Sequence, residues 1–508
     1  MSIRLSIYIG TLLLAIAAVL ITAFSACSPL YPLNPWDDAN CFLILGRSLL
    51  EGRMPYRDVF DQKGPGVFLI QAMCEAIGIR AFFGYYLLEI LLLWGYLWFA
   101  FQTMLLFAKA NQRSIALVLT CLLGLAYVTS DFFYYGNTVE EVGLPWIMFS
   151  LYVLLRYARN RVEPTRIEAI AMGLGVGILF WSKFTVLSPY IGALIAILAL
   201  CIRGKQMPVF WRTIGWVLLG FCVVSMVNIV IFAAIGGLWD MLDGYFGYNL
   251  FRYHGVGAED GGDDMRIYPL RLLAWAALVS IPLLHRRVNK DVRLLVTLSF
   301  ATTLILFAIT TVYIYYFIIC FAFFPLLFYY VRRIPATWKA WTAAGLIAIL
   351  MVMTDFSLMQ RIRGTFPQAI LSIVEQLKDE DTDGGVLTYR SRETGYYTYS
   401  NQLPPNRFFF LLSVVHQDLK DDQDACLRSR KCRYVLVKDQ VLEDEAYLPI
   451  EENGYKLIAE RKELFRTLKP LNPKLYLWNL GWTQPLMRKI LTKEPEPTMA
   501  RFRLYERY

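Results

Sequence analysis

The chain has 508 residues, 57% of them hydrophobic and only 18% charged, with a formal net charge of +9. That composition is too apolar for a soluble protein of this length and predicts a polytopic membrane protein. The positive charge does not point to nucleic acid, because much of it sits in short loops between apolar runs.

Taken in chain order, the runs long enough to span a bilayer are 5–26, 84–108, 114–130, 142–157, 167–182, 185–202, 211–235, 267–285, 292–310, 312–331 and 338–356, about eleven in all. The first follows Arg4 and ends in "FSAC" at Cys27, which also resembles a lipoprotein signal. Its length favours a retained first helix. Segment 64–80 is shorter, opens on Gly-Pro-Gly and carries Glu75, so it is predicted as a helix packed at the membrane surface. The loops 108–113, 156–166, 203–212, 285–293 and 332–339 are basic, and with eleven spans they fall on the same side as Arg4. The positive-inside rule makes that side cytoplasmic. The opposite loops, 131–141 and 243–266, are acidic or mixed. The expected topology is therefore N-terminus inside and C-terminus outside, in the cytoplasmic membrane of a bacterium, with no internal repeat.

Residues 1–356 form the membrane domain in this reading, with a first outer loop at 27–83, and 357–508 form a small α/β domain on the outer face. Strand-like runs in that domain are "GGVLTY" (384–389), "RYVLVKD" (433–439), "YKLIAE" (455–460) and "LYLWNL" (475–480). "RETGYYTY" (392–399) reads as a further strand or hairpin, or as a tyrosine platform for a sugar. Of nine cysteines, Cys121, Cys201, Cys222 and Cys320 lie in apolar runs and suit packing. Cys426 and Cys432 lie in a polar segment, where a disulfide is open if that segment is outside the cytoplasm.

The first outer loop holds an unusual density of charge. From Asp38 a helix is predicted, with Asn40, Arg47 and Glu51 on a narrow polar face and Phe42, Leu45 and Leu49 on an apolar one. Gly52 is its expected stop, and Asp37 or Asp38 its expected cap. "MPYRDVFDQKGPG" then turns back toward the membrane, which would hold carboxylates and Lys63 at the depth of lipid headgroups. Charge there is costly unless paired or used. Local pairs of Arg57 with Asp58 and of Asp61 with Lys63 would explain the residues singly. Convergence on two interfacial helices points instead to a site.

"NPWDDANCFLILGRSLLEGRMPYRDVFDQKGP" resembles the first outer loop of bacterial membrane glycosyltransferases of the GT-C fold. These are relatives of protein O-mannosyltransferases and of the aminoarabinose transferase of lipid A. The pattern W-x-D-x-N … G … PY-[RK]-D-x-F-[DE]-Q-K-G-P is met at Trp36, Asp38, Asn40, Gly46, Gly52, Pro55, Tyr56, Arg57, Asp58, Phe60, Asp61, Gln62, Lys63, Gly64 and Pro65. Segments 134–146, 180–190 and 313–327 resemble the family more loosely. The resemblance implies transfer of a sugar from a polyprenyl-phosphate donor to a glycan, lipid or protein acceptor, in a single inverting displacement at the outer face. It implies Asp38 as the base, with Asp37 as the alternative one residue away. It implies Lys63, assisted by Arg57, at the donor phosphate. Asp61 falls where relatives place an acidic residue that orients the lysine or binds a divalent metal.

Other candidates for substrate binding are Asp58, Glu140, Lys183, Asn249 and Arg252, the last two in a long outer loop of the kind that serves as a lid. His254 is the second metal candidate, and no other cofactor is expected. The competing reading is a transporter or flippase of lipid-linked sugars. Transporters place ionisable groups near the midplane on broken helices, whereas these predicted spans are nearly free of charge apart from Glu89.

Overall fold

The computed structural model describes residues 3–130, 132–252, 288–309, 313–331, 335, 337–355, 358, 361–362, 367–378, 380, 385–411, 416–439, 449–465 and 498–508. The protein is mostly helical, with one small sheet. The helices are α1 (Ile3–Thr22), α2 (Asp37–Leu50), α3 (Pro65–Glu75), α4 (Phe83–Phe107), α5 (Arg113–Val128), α6 (Val139–Asn160), α7 (Arg166–Ser182), α8 (Ser188–Arg203) and α9 (Met207–Ala234). They continue with α10 (Leu238–Leu242), α11 (Lys290–Ile309), α12 (Trp338–Thr354), α13 (Ala369–Gln376), α14 (Gly395–Ser400) and α15 (His416–Arg428). π-Helical turns at Asp243–Arg252 follow α10, and 3₁₀ turns cover Ile314–Ala322 and Phe324–Leu327.

The helices coincide closely with the apolar runs, but the count of about eleven spans is not supported. Among the described residues, three helices are long and apolar enough to cross a membrane: Phe83–Phe107, Phe184–Arg203 and Met207–Ala234. Tyr8–Thr22, Arg113–Val128 and Trp338–Met353 are apolar but shorter. The run 312–331 differs for a physical reason, since it folds as short 3₁₀ pieces rather than one α-helix. Helix α6 carries Glu140 and Glu141 in its first turn and Arg156 and Arg159 near its end. Run 267–285 lies outside the described residues.

One apolar core joins α1, α4, α5, α6, α8, α11 and the 3₁₀ pieces, with Leu97, Met148, Leu155, Leu295 and Ile318 among its buried members. A second core lies across the first loop and the C-terminal part. It contains Ala39, Leu45, Phe60 and Phe68 of the first loop together with Tyr396, Phe410, Leu436 and Leu504 of the C-terminal part. The C-terminal segment is therefore packed into the loop rather than standing as a separate unit.

The sheet comprises β1 (Val386–Thr388), β2 (Tyr434–Asp439), β3 (Tyr455–Phe465) and β4 (Thr498–Arg507), in the order β1-β2-β4-β3. Strand β1 is parallel to β2, and β4 is antiparallel to both β2 and β3. Three of the four strand-like runs are thus strands, and 475–480 lies outside the described residues. The run 392–399 is not a strand. It forms most of α14, and Tyr396 and Tyr397 are fully buried, so they offer no sugar platform. Cys426 and Cys432 are free thiols, both buried.

Helix α2 ends as its sequence predicts. Gly52 has φ +78°, a left-handed conformation that suits glycine. The Arg53 amide donates to the Ser48 carbonyl (2.9 Å) and the Gly52 amide to that of Leu49 (3.2 Å), a Schellman closure. Further along, α2 crosses α3 at Gly46, where a methyl group would lie 2.4 Å from the Gln71 carbonyl carbon and 2.5 Å from the Ala72 nitrogen. Both obstacles are backbone, so Gly46→Ala must push the helices apart. We expect it to cost about 1–3 kcal/mol, the usual range for overpacking. A thermal melt of the purified protein in detergent checks this, and an unchanged midpoint would refute the close approach.

Candidate functional site

Neither aspartate caps α2. The N-cap is Trp36, without a side-chain cap bond. The Asn40 side-chain amide ties down the entry to the helix, donating to the carbonyls of Trp36 (2.8 Å) and Asn34 (2.9 Å). Asp37 and Asp38 lie inside the first turn, where the helix dipole favours a negative charge. The polar face of α2 is buried as well. Arg47 pairs with Glu75 of α3 (2.6 Å) and donates to the Tyr397 carbonyl (3.0 Å).

Successive residues on a helix point about 100° apart, and this separates the two candidates. Asp37 faces the C-terminal part, 3.6 Å from the Lys438 ammonium. Asp38 faces inward, where the charged groups acting on it are Lys63, Asp61, Lys183 and Glu140. Five of the sequence candidates thus converge, from the first loop, the start of α6 and the end of α7.

Each is held by local structure. Asp61 is fully buried; its Oδ1 accepts from the Lys63 amide (2.7 Å) and lies 3.6 Å from the Lys63 ammonium, and its Oδ2 accepts from the Cys41 thiol (3.5 Å). The Lys63 ammonium lies over the Phe42 ring, 5.5 Å from its centroid. Lys183 is the C-cap of α7, its amide donating to the Leu179 carbonyl (2.8 Å). Its ammonium meets Glu140 Oε1 at 2.6 Å and lies 3.7 Å from the Tyr316 ring centroid. Burial pulls the Lys183 ammonium below the usual lysine range, against the opposing effect of Glu140.

Asp38 is 6% exposed. Tyr315 points its hydroxyl at Oδ2, at a long 3.5 Å, while buried Oδ1 has no hydrogen-bond partner. Burial pushes the carboxyl up to about 6, with Lys63 the main opposing influence. A buried carboxylate oxygen without a donor is costly. An incoming hydroxyl would supply that donor. The cluster therefore combines a proton acceptor near neutral pH with two ammoniums suited to an anion.

Tyr315 and Tyr316 were not singled out as site residues. Their signal in the sequence is the looser family resemblance of segment 313–327, which assigns neither tyrosine a role.

Other candidates fall elsewhere. Arg57 is half exposed and pairs with Asp240, so it does not join Lys63. Asp58 accepts from the Met54 amide (2.8 Å) and closes the loop turn. Arg252 pairs with Asp243 on the surface. Asn249 has a structural contact, donating to the Gln62 carbonyl (2.7 Å) next to Lys63. Tyr245 and Tyr248 are buried in the same turns, so this stretch of the expected lid is packed down. His254 lies outside the described residues. Among the described residues no group of three or more His, Cys, Asp or Glu side chains is placed to hold a metal ion.

No family model, curated protein or solved structure matches the chain.

Proposed function

We propose that the protein is a membrane glycosyltransferase of the GT-C type, moving a sugar from a polyprenyl-phosphate donor to an acceptor hydroxyl. The observation that carries this reading is the buried Asp38 carboxylate, whose Oδ1 has no hydrogen-bond partner and on which the charges of Lys63 and Lys183 act. The acceptor O–H gives its proton to Asp38 as its oxygen bonds to the anomeric carbon. The bond from that carbon to the phosphate oxygen breaks, and its electron pair leaves with the lipid phosphate. Lys63 meets the charge that develops there, and attack opposite the leaving group inverts the anomeric centre. Lys183, bound to Glu140, lines the same space. An ammonium carries three donors, so contact with phosphate does not require Lys63 to leave Asp61.

The proposal includes the finer topology: about eleven spans in the cytoplasmic membrane of a bacterium, with the site and the C-terminal part outside. A reporter active only outside the cytoplasm, fused after Tyr508, should give signal. Signal only from a cytoplasmic reporter would put the site in the wrong compartment and end this reading.

Transport of the same lipid-linked sugar is the competing function. It is disfavoured because the charges gather at helix ends and in the first loop, not on broken helices at mid-span. Mass spectrometry of envelope glycans and glycolipids separates the two. A strain lacking the protein should lose one sugar from one class of molecule and accumulate its sugar-free acceptor. Unchanged envelope molecules would contradict the proposal.

A further inference from the structure

The first turn of α2, which carries Asp38, is gripped by the C-terminal part. Lys438 on β2 places its ammonium 2.9 Å from Glu393 Oε2 and 3.6 Å from Asp37 Oδ1. Thr394 adds a hydrogen bond from its hydroxyl to the Asp37 carbonyl (2.6 Å). The side chains of Lys438, Glu393 and Asp37 are 6%, 7% and 18% exposed, so these contacts are shielded from water. Strand β2 is an inner strand, paired with β4 along its whole length, Lys438 opposite Phe502, and with β1 over Tyr434–Leu436, which gives Lys438 a fixed base. Glu393 is fixed too, since its Oε1 accepts from the Gly395 amide (2.7 Å).

We propose that Lys438 is a positioning residue: through Asp37 it sets the position of Asp38, so the C-terminal part acts as a clamp on the catalytic helix. The inference rests on the reading of Asp38 as the base. Asp37 and Asp38 are adjacent on one helical turn, so any displacement of Asp37 is passed to Asp38. Without the ammonium, Asp37 and Glu393 are two buried carboxylates with no cation between them, an arrangement that drives the groups apart. Burial already raises the Asp37 carboxyl above the ordinary carboxylate range, with Lys438 holding it down.

The test uses the full-length protein in detergent. Lys438→Gln should speed hydrogen exchange in the first two turns of α2. It should lower kcat by about 10²-fold, the scale of a misplacement near 1 Å, at unchanged KM for a polyprenyl-phosphate sugar. Lys438→Arg should restore both. Thr394→Val, a smaller change, should move exchange and kcat in the same direction and guards against misfolding of the first variant.

A pH series adds a readout that general destabilisation would not give. The other titratable groups acting on Asp37 or Lys438 are Asp38, Arg392 and Glu463. As pH falls, Asp37, whose carboxyl burial already raises, takes a proton and can donate it to Glu393. The activity of Lys438→Gln relative to wild type should therefore rise toward acid pH. Unchanged α2 exchange in both Lys438→Gln and Thr394→Val overturns the inference whatever the chemistry. Faster exchange with unchanged kcat overturns it too. Faster exchange in the variants, where even the wild-type protein transfers no sugar, would leave the clamp standing and remove only the proposed function.

Discussion

Asp38→Asn lowers the rate of sugar transfer by about 10²–10⁴-fold, the usual worth of a general base, while donor binding holds. Asn keeps the volume and can accept from the Tyr315 hydroxyl, which reaches Oδ2 at 3.5 Å. It cannot take a proton from the acceptor. The sign of the accompanying pH effect follows from burial, which lifts the carboxyl to about 6. A base must be ionised, so wild-type kcat/KM should be level above that value and fall about tenfold per unit below it. Asp37→Asn is the contrasting variant. It keeps Lys438 paired with Glu393 at 2.9 Å and leaves a side-chain oxygen at 37 that still accepts from the Lys438 ammonium, so the clamp holds and the change should cost far less than Asp38→Asn. A larger loss in Asp37→Asn than in Asp38→Asn, measured on purified protein with saturating donor, would reverse the assignment.

Lys63→Met should weaken donor binding and slow transfer together, because the ammonium meets charge already present on the phosphate and grows more important as the bond breaks. Charge-assisted hydrogen bonds contribute about 1.5–3 kcal/mol, which corresponds to about 10- to 150-fold. Met preserves the contact of the stem with Phe42, over whose ring the ammonium lies. It leaves Asp61 buried with the Lys63 amide (2.7 Å) and the Cys41 thiol as its donors. Donor affinity and kcat are the measurements. Wild-type values for both would remove Lys63 from the site. Arg57 makes the comparison informative: it is half exposed and paired with Asp240, so Arg57→Gln should leave donor affinity unchanged.

Much of the first loop could be read in advance. Helix α2, its glycine stop and the short helix after Gly-Pro-Gly all follow from periodicity and turn chemistry, which are local. The choice between Asp37 and Asp38 could not be made from adjacent identical residues. It depends on which side of α2 the Lys438 strand occupies, a contact that is remote in sequence. The Tyr315 hydroxyl comes to Asp38 from 277 residues away, and the looser resemblance of segment 313–327 does not single that contact out.

Arg57, Asp58 and Arg252 lie outside the Asp38 cluster, since nearness to Lys63 in sequence is not nearness in space: the turn at 54–59 leaves Arg57 and Asp58 exposed, and Arg252 pairs with Asp243. The burial of the Asn40 and Arg47 face was also hidden. Polarity normally signals solvent, and here it signals a partner surface, since Arg47 is satisfied by Glu75 and the Tyr397 carbonyl. The span count rests on hydropathy, which registers apolar composition alone. The 3₁₀ pieces at 314–327 are as apolar as a span without being one continuous helix.

The most direct test of the central claim is a single-turnover assay with the purified protein and a panel of polyprenyl-phosphate sugars, reading release of the free polyprenyl phosphate in the presence of membrane extract as acceptor. The account predicts stoichiometric release and an inverted glycosidic linkage with one donor, both lost in Asp38→Asn although that variant still binds the donor. Release that is equal in Asp38→Asn and wild type, or no release with any donor by a folded, donor-binding protein, would contradict it.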